Sequence, residues 1–188
     1  MAYYEESELL SMGFKFLGKN VKISDKASIY NTNMIEIGDN SRIDDFCVVS
    51  GNIKIGRNVH FASFCLIAGG VKGIIFDDFS GLAYHVQVFT QSDDYLGKTM
   101  TNPTVPKKYK NELMKEIYIG KHSIIGAGSI ILPGVTIAEG TSVGAMSLIR
   151  KPTKPWTIYY GNPAKILCER SKELLVLEQE YLKEENNQ

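Results

Sequence analysis

Residues 119–151 read IGKHSIIGAGSIILPGVTIAEGTSVGAMSLIRK, and within them Ile119, Ile125, Ile131, Ile137, Val143 and Ile149 fall six positions apart. A helix repeats its apolar positions at intervals near three and four, and a half-buried strand at every second residue. Neither rule generates a six-residue beat. The same beat runs upstream through Ile37, Ile43, Val49, Ile55, Phe61 and Ile67, then through Phe76, Leu82 and Val88. The residue after the apolar one is often small or acidic (Gly38, Gly56, Asp77, Gly120, Gly126, Gly144). The fifth position is usually Ser, Thr, Val or Cys, as at Ser41, Cys47, Val59, Cys65, Ser129 and Thr141. Such a unit is a short strand followed by a tight corner. Three units close a triangular turn of 18 residues, and stacked turns pair their strands in parallel, so each buried aliphatic rests on the one a turn away. The predicted fold class is an all-β solenoid.

Working outward, the beat is interrupted in three places. Two extra residues lie between Ile29 and Ile37, and three in the AlaGlyGlyValLysGly segment before Phe76. The third interruption is far larger. The segment 92–116 has no six-residue beat and contains Pro103 and Pro106; a loop of that length inside a compact domain is usually functional or disordered. Both ends carry helical patterns. EESELLSM is short and acidic, while SKELLVLEQEYLKEE opens on Ser171 as an N-cap and places Leu174, Leu175, Leu177 and Leu182 near one stripe. The expected organisation is a helical cap over 1–19, a solenoid over 20–170 with the inserted loop, and a C-terminal helix over 171–188. Both ends are expected to cap the open edges of the coil.

A chain of 188 residues fits one domain, and Lys plus Arg equals Asp plus Glu at 21 each. That balance gives no net field toward nucleic acid or an anionic membrane. The start has no basic, apolar leader, and no run of about 18 apolar residues occurs, so neither export nor membrane insertion is expected and the cytoplasm is. Cys47, Cys65 and Cys168 form no CxxC pair, which suits a reducing compartment and gives no zinc ribbon.

The repeat, with GlyAsnProAlaLys at 161–165, resembles the left-handed parallel β-helix acyltransferases of hexapeptide repeats, in the branch of galactoside and maltose O-acetyltransferases. The resemblance spans about residues 20 to 170. Left-handed winding is implied by it alone, since parallel crossovers are otherwise right-handed. It further implies a homotrimer and acetyl-CoA as co-substrate, with a sugar hydroxyl as acceptor and cell-surface polysaccharide as a common setting. Ala127 and Ala145 would line the pantetheine arm, and Arg150, Lys151 and Lys165 would face the phosphates. Small residues let an extended chain approach the wall, and cations suit phosphate charge.

Transfer to a hydroxyl needs a base, and three histidines are available. His85 shares a corner column with Phe46, Phe64, Gly128 and Met146, whereas His122 stacks with Asn40, Asn58, Phe79 and Gly140. His60 is sixth in its unit. In the galactoside branch the catalytic His opens the long loop; that place here is Asp93. His85, at a corner where the galactoside enzyme holds an acceptor-pocket Asn, is the substitute candidate, oriented by Asp93 or Asp94. Other features are read as structural: Asp77 and Asp78 as solvated corner residues, Cys47 over Cys65 as a reduced stack. Trp156 and the aromatics of FTQSDDY either stack on a ligand or pack. No metal is expected. The alternatives are an N-acetyltransferase of a nucleotide-linked amino sugar, whose amine needs less help from a base, a γ-type carbonic anhydrase with three His ligands, and a non-catalytic solenoid.

Overall fold

The computed structural model describes residues 2–185, so position 1 of the expected cap and positions 186–188 of the expected helix lie outside the described residues. The chain winds as a left-handed parallel β-solenoid of about 7 turns. Its first wall stacks Ser28–Tyr30, the first parts of Val48–Ile55 and Leu66–Phe76, Gln87–Phe89, Ile130–Ile131 and Leu148–Ile149. The second stacks Phe16–Leu17, Ile35–Ile37, the later parts of those two long strands, Ile117–Ile119 and Thr136–Ile137. The third runs from Lys22–Ile23 through Arg42–Ile43, His60–Phe61, Gly81–Leu82, Ile124–Ile125 and Ser142–Val143 to Thr157–Tyr160. Lys165–Glu169 then folds back antiparallel on Thr157–Tyr160.

The beat builds the core directly. Ile23, Ile43, Phe61, Leu82, Ile125 and Val143 form one inward column, each at most 2% exposed. Phe61 and Phe76 meet across the prism with ring centroids 4.7 Å apart. Corner hydroxyls satisfy backbone groups that the turn withdraws from the ladders. Ser41 Oγ donates to the Gly56 carbonyl at 2.8 Å and accepts from Val59 N at 3.0 Å, and Ser129 Oγ donates to the Gly144 carbonyl at 3.1 Å. Asp78 does the same job rather than being merely solvated: its carboxylate accepts from Arg57 N at 2.9 Å, while Asp77 accepts from the Tyr118 hydroxyl at 2.7 Å. Cys47 and Cys65 are buried free thiols, donating to the Ala62 and Ala83 carbonyls at 3.2 and 3.1 Å.

The fourth position of the unit is where the chain turns, and it turns through left-handed backbone. Asn40, Asn58, Phe79 and His122 take φ of 59, 54, 57 and 58° along one corner; Phe46, Phe64, His85, Gly128 and Met146 take 61, 68, 59, 69 and 58° along another. Asn and Gly visit that region readily, whereas bulky side chains do so at a cost of about 1–2 kcal/mol.

The ends depart from expectation. Phe16–Leu17 pairs with Ile35–Ile37, so the solenoid begins inside the expected cap. The first helix, α1 (Glu6–Ser11), buries Leu9 and is closed at its start by Glu5 N donating to Glu8 Oε2 at 2.8 Å. The second, α2 (Leu174–Glu185), starts past Ser171, whose Oγ accepts from Glu173 N in a turn of its own. It does not cap a coil end. It lies along the Asn40–Asn58–Phe79–His122 corner, held by polar contacts: Glu178 to Lys121 (2.5 Å) and His122 (2.9 Å), Tyr181 to Asn58 (3.0 Å), and Glu185 to Asn40 (2.8 Å) and Arg57. Leu177, expected on the packed stripe, is 63% exposed.

Candidate active site

His85 stands on the corner that joins the third wall to the first. Its ring lies 4.8 Å from that of Phe64, nearly parallel at 9°, and Phe64 in turn stacks on Phe46 at 5.0 Å. The imidazole is exposed, as are half of Phe46 and half of Phe64. One coil higher, Gly128 N donates to the Tyr84 carbonyl at 2.9 Å; one higher again, Met146 N donates to the Ala127 carbonyl at 2.8 Å. The six-residue count therefore brings His85, Ala127 and Ala145 onto one edge of the prism. Ala127 is half-buried and Ala145 exposed.

The exit segment meets this edge. Gly144 N donates to the Tyr159 carbonyl, the Gly161 carbonyl accepts from Leu148 N, and Ala164 N donates to the Leu148 carbonyl at 3.0 Å. Lys165 thus follows a turn seated directly above Met146. Arg150 and Lys151 sit beyond Ile149, where the chain rounds the next corner, and both are exposed. No ion pair joins Arg150, Lys151 or Lys165 to a carboxylate among the described residues.

The 92–116 loop has a built interior. Gln91–Ser92 pairs antiparallel with Leu113–Met114, and Glu112 accepts from Lys110 Nζ at 3.0 Å and Gln91 Nε2 at 2.8 Å. Asp94 organises the tip: its carboxylate accepts from the backbone N–H groups of Leu96, Lys98 and Thr99 at 2.9 to 3.0 Å and from the Thr99 hydroxyl at 3.1 Å. These donors, the Leu96 N–H first, hold its pKa below the ordinary carboxylate value. The Asp93 carboxylate makes one long contact among the described residues, accepting from Asn102 N at 3.4 Å. Among the described residues no hydrogen bond joins His85 to either aspartate.

The other histidines are spoken for. His60 Nε2 is 2.8 Å from Asp44, itself paired with Arg42 at 2.9 Å. His122 is buried, stacked on Phe79 at 5.3 Å and bonded to Glu178. It lines a cavity of about 520 Å³ between α2 and the third wall, with Asn58, Ser80, Arg170 and Tyr181. The three rings sit in separate surroundings, and among the described residues no group of three or more His, Cys, Asp or Glu side chains converges as a metal would require.

Against known proteins, residues 34–69 and 116–151 match the family described as bacterial transferase hexapeptide (six repeats). The chain is 45% identical over 181 residues to the dTDP-4-amino-4,6-dideoxy-D-glucose acyltransferase of Escherichia coli, covering 95% of this chain and 94% of that one. This chain belongs to the hexapeptide-repeat acyltransferases. The fold of this acyltransferase also superposes on AntD, an N-acyltransferase from Bacillus cereus solved with dTDP and 3-hydroxybutyryl-CoA. That match has TM-score 0.96 and 43% identity over 98% of each chain. A maltose O-acetyltransferase from Clostridium difficile, at 23% identity and TM-score 0.56 over 88% of this chain and 75% of that one, shares the fold.

In this acyltransferase the edge carrying His85, Ala127 and Ala145 is the one corner with an exposed imidazole beside small residues, among the described residues. Sequence counting found that column. It placed Met146 in the column but gave it no role, although its side chain lies back over Gly128; a bulky residue at a turning position where Gly or Asn fits better was the available signal.

Proposed function

We propose that this acyltransferase moves an acyl group from acetyl-CoA or another short acyl-CoA to the amino group of a nucleotide-linked amino sugar. The observation that carries this is the near-full-length identity to two enzymes of that kind. One is named for dTDP-4-amino-4,6-dideoxy-D-glucose, and the other was solved with that sugar nucleotide and coenzyme A. The O-acetyl reading drawn from the galactoside branch gives way, because likeness to the maltose enzyme at 23% identity speaks for fold alone. Asp93 at the opening of the loop fits the same revision. An amine, once neutral, attacks a thioester without the strong base that a hydroxyl requires.

In the proposed reaction the amine nitrogen attacks the thioester carbonyl, the C–N bond forms, the C–S bond breaks, and the thiolate leaves with the electron pair. The proton shed by the nitrogen goes to the exposed imidazole of His85. Asp93, rather than the fully engaged Asp94, is the carboxylate available to favour the imidazolium when the loop closes. Ala127 and Ala145 flank the pantetheine arm, and Arg150, Lys151 and Lys165 meet its phosphates. The active assembly is a homotrimer in which the 92–116 loop reaches a second copy, consistent with Tyr95 and Leu96 being 91% and 80% exposed on one chain.

The test supplies dTDP-4-amino-4,6-dideoxyglucose, maltose and a galactoside separately with acetyl-CoA, following thiol release and product mass. N-acylated sugar nucleotide is the expected product. Turnover of maltose or the galactoside with none of the amino sugar would overturn the proposal.

A further inference from the structure

The ring column of the His85 corner is interrupted one coil above His85. Phe46, Phe64 and His85 stack face to face, and the next position in the column is Gly128, which has no side chain. The vacated rung is occupied by Met146 from the coil above. A Cβ built on Gly128 would lie 2.5 Å from Met146 Sδ. Met146 itself is 73% exposed and held at φ 58°, a backbone that Gly140 or Asn58 takes on the neighbouring corner without strain. It gains little burial in return. A thioether on an unbranched stem is the side chain best able to swing aside and repack against an apolar guest.

Resting on the donor placement proposed above, we infer that the Gly128 rung, floored by the His85 ring and roofed by Met146, is the acyl-chain slot. Together these two residues set the length of acyl group the enzyme accepts. Adjacent coils are separated by about 4.8 Å, so a slot one rung deep admits a single layer of methylenes once the thioether moves. Ala127 precedes Gly128 and Ala145 precedes Met146; a pantetheine arm along those alanines delivers its thioester to the mouth of the rung. Gly128 is then required for space as well as for its φ of 69°. Met146 acts as an adjustable stop.

The experiment compares kcat/KM for acetyl-, butyryl- and octanoyl-CoA, with dTDP-4-amino-4,6-dideoxyglucose as acceptor, in the wild type, Met146→Gly and Gly128→Ala. Glycine suits the backbone at 146, so that variant keeps its fold. A methylene in an apolar pocket is worth roughly tenfold or more in discrimination. Met146→Gly should therefore raise the octanoyl-to-acetyl ratio about tenfold, and Gly128→Ala should lower the butyryl-to-acetyl ratio by a similar factor. Ratios within twofold of wild type in both variants overturn the slot. If the wild type turns over none of the three donors, the proposed function fails instead. Calorimetry of acetyl- and butyryl-CoA binding then decides the slot alone: a lower butyryl-to-acetyl affinity ratio in Gly128→Ala than in the wild type supports it, and an unchanged ratio refutes it.

Discussion

Two corners of this prism are built from the same backbone and finished in opposite ways. Along one, Asn40, Asn58, Phe79 and His122 are roofed by α2, whose Glu178, Tyr181 and Glu185 bond to the corner residues or their neighbours. Along the other, Phe46, Phe64, His85, Gly128 and Met146 have no helix over them among the described residues. The roofed corner converts its left-handed residues into anchors for a helix. The bare corner keeps an imidazole, a bare glycine and a thioether at the surface, open to solvent. Position in the repeat dictates the backbone, and what the rest of the chain places above it decides whether a histidine is a fastener or a reagent.

The sharpest way to break this comparison is to remove one histidine from each corner. His85→Ala should lower kcat by roughly 10²- to 10⁴-fold while leaving CoA affinity nearly intact, as loss of a proton acceptor does. His122→Ala should leave turnover within a few-fold and lower the melting temperature. Equal kinetic losses in the two variants would erase the distinction.

A smaller effect is expected at the latch. Glu178→Ala strips Lys121 and the buried His122 of their partner and should cost about 1–3 kcal/mol of stability, read by thermal unfolding. Burial alone would push Glu178 up, but the bonds from Lys121 and His122 outweigh it and hold the carboxyl below its ordinary range. A depressed carboxylate contributes stability that is present above its unfolded value, near about 4.3, and fades as pH falls through the folded one. Trp156, whose ring lies 6.3 Å from His122, should therefore keep its fluorescence from neutral pH down to about pH 4 and change below it. A transition well above pH 4 would show that Glu178 is not the group that sets it. The mildest change is expected for Lys165→Ala, a few-fold weaker CoA binding that shrinks further in high salt, because a single exposed cation on a phosphate is screened.

The walls and core were legible because a period of six fixes which side chain turns inward: Ile43, Phe61, Leu82 and Ile125 share a column by counting alone. The same count put His85 beside Gly128. What counting could not reach depends on where a chain goes after the repeat ends. The Leu stripe of α2 promised apolar docking, yet its seat on the corner is made by Glu178, Tyr181 and Glu185, whose partners lie more than 50 residues away in sequence. Asp93 and Asp94 are neighbours of one chemistry, and only the turn around Leu96 to Thr99 separates the engaged carboxylate from the freer one. The acceptor was not written in the repeat either, since the same solenoid fold is found in a maltose O-acetyltransferase and in an N-acyltransferase.

The inserted loop also has a consequence for how the chain assembles. In a stack of coils each turn templates the next, so ordering spreads along the array from neighbour to neighbour. Nearly every such step here closes over one short turn, as from His60 to Gly81. The steps that join the coil of Phe76, Leu82 and Val88 to that of Ile119, Ile125 and Ile131 must wait for the whole 92–116 segment to be gathered in. Its entropic toll is modest, because each doubling of a closed loop adds only about 0.6 kcal/mol, but its delay is not, since distant pairing slows folding. The molecule is thus a zipper with one stiff tooth in the middle: two half-arrays that order quickly and a single rate-setting junction, lying immediately beside the residues proposed to do the chemistry.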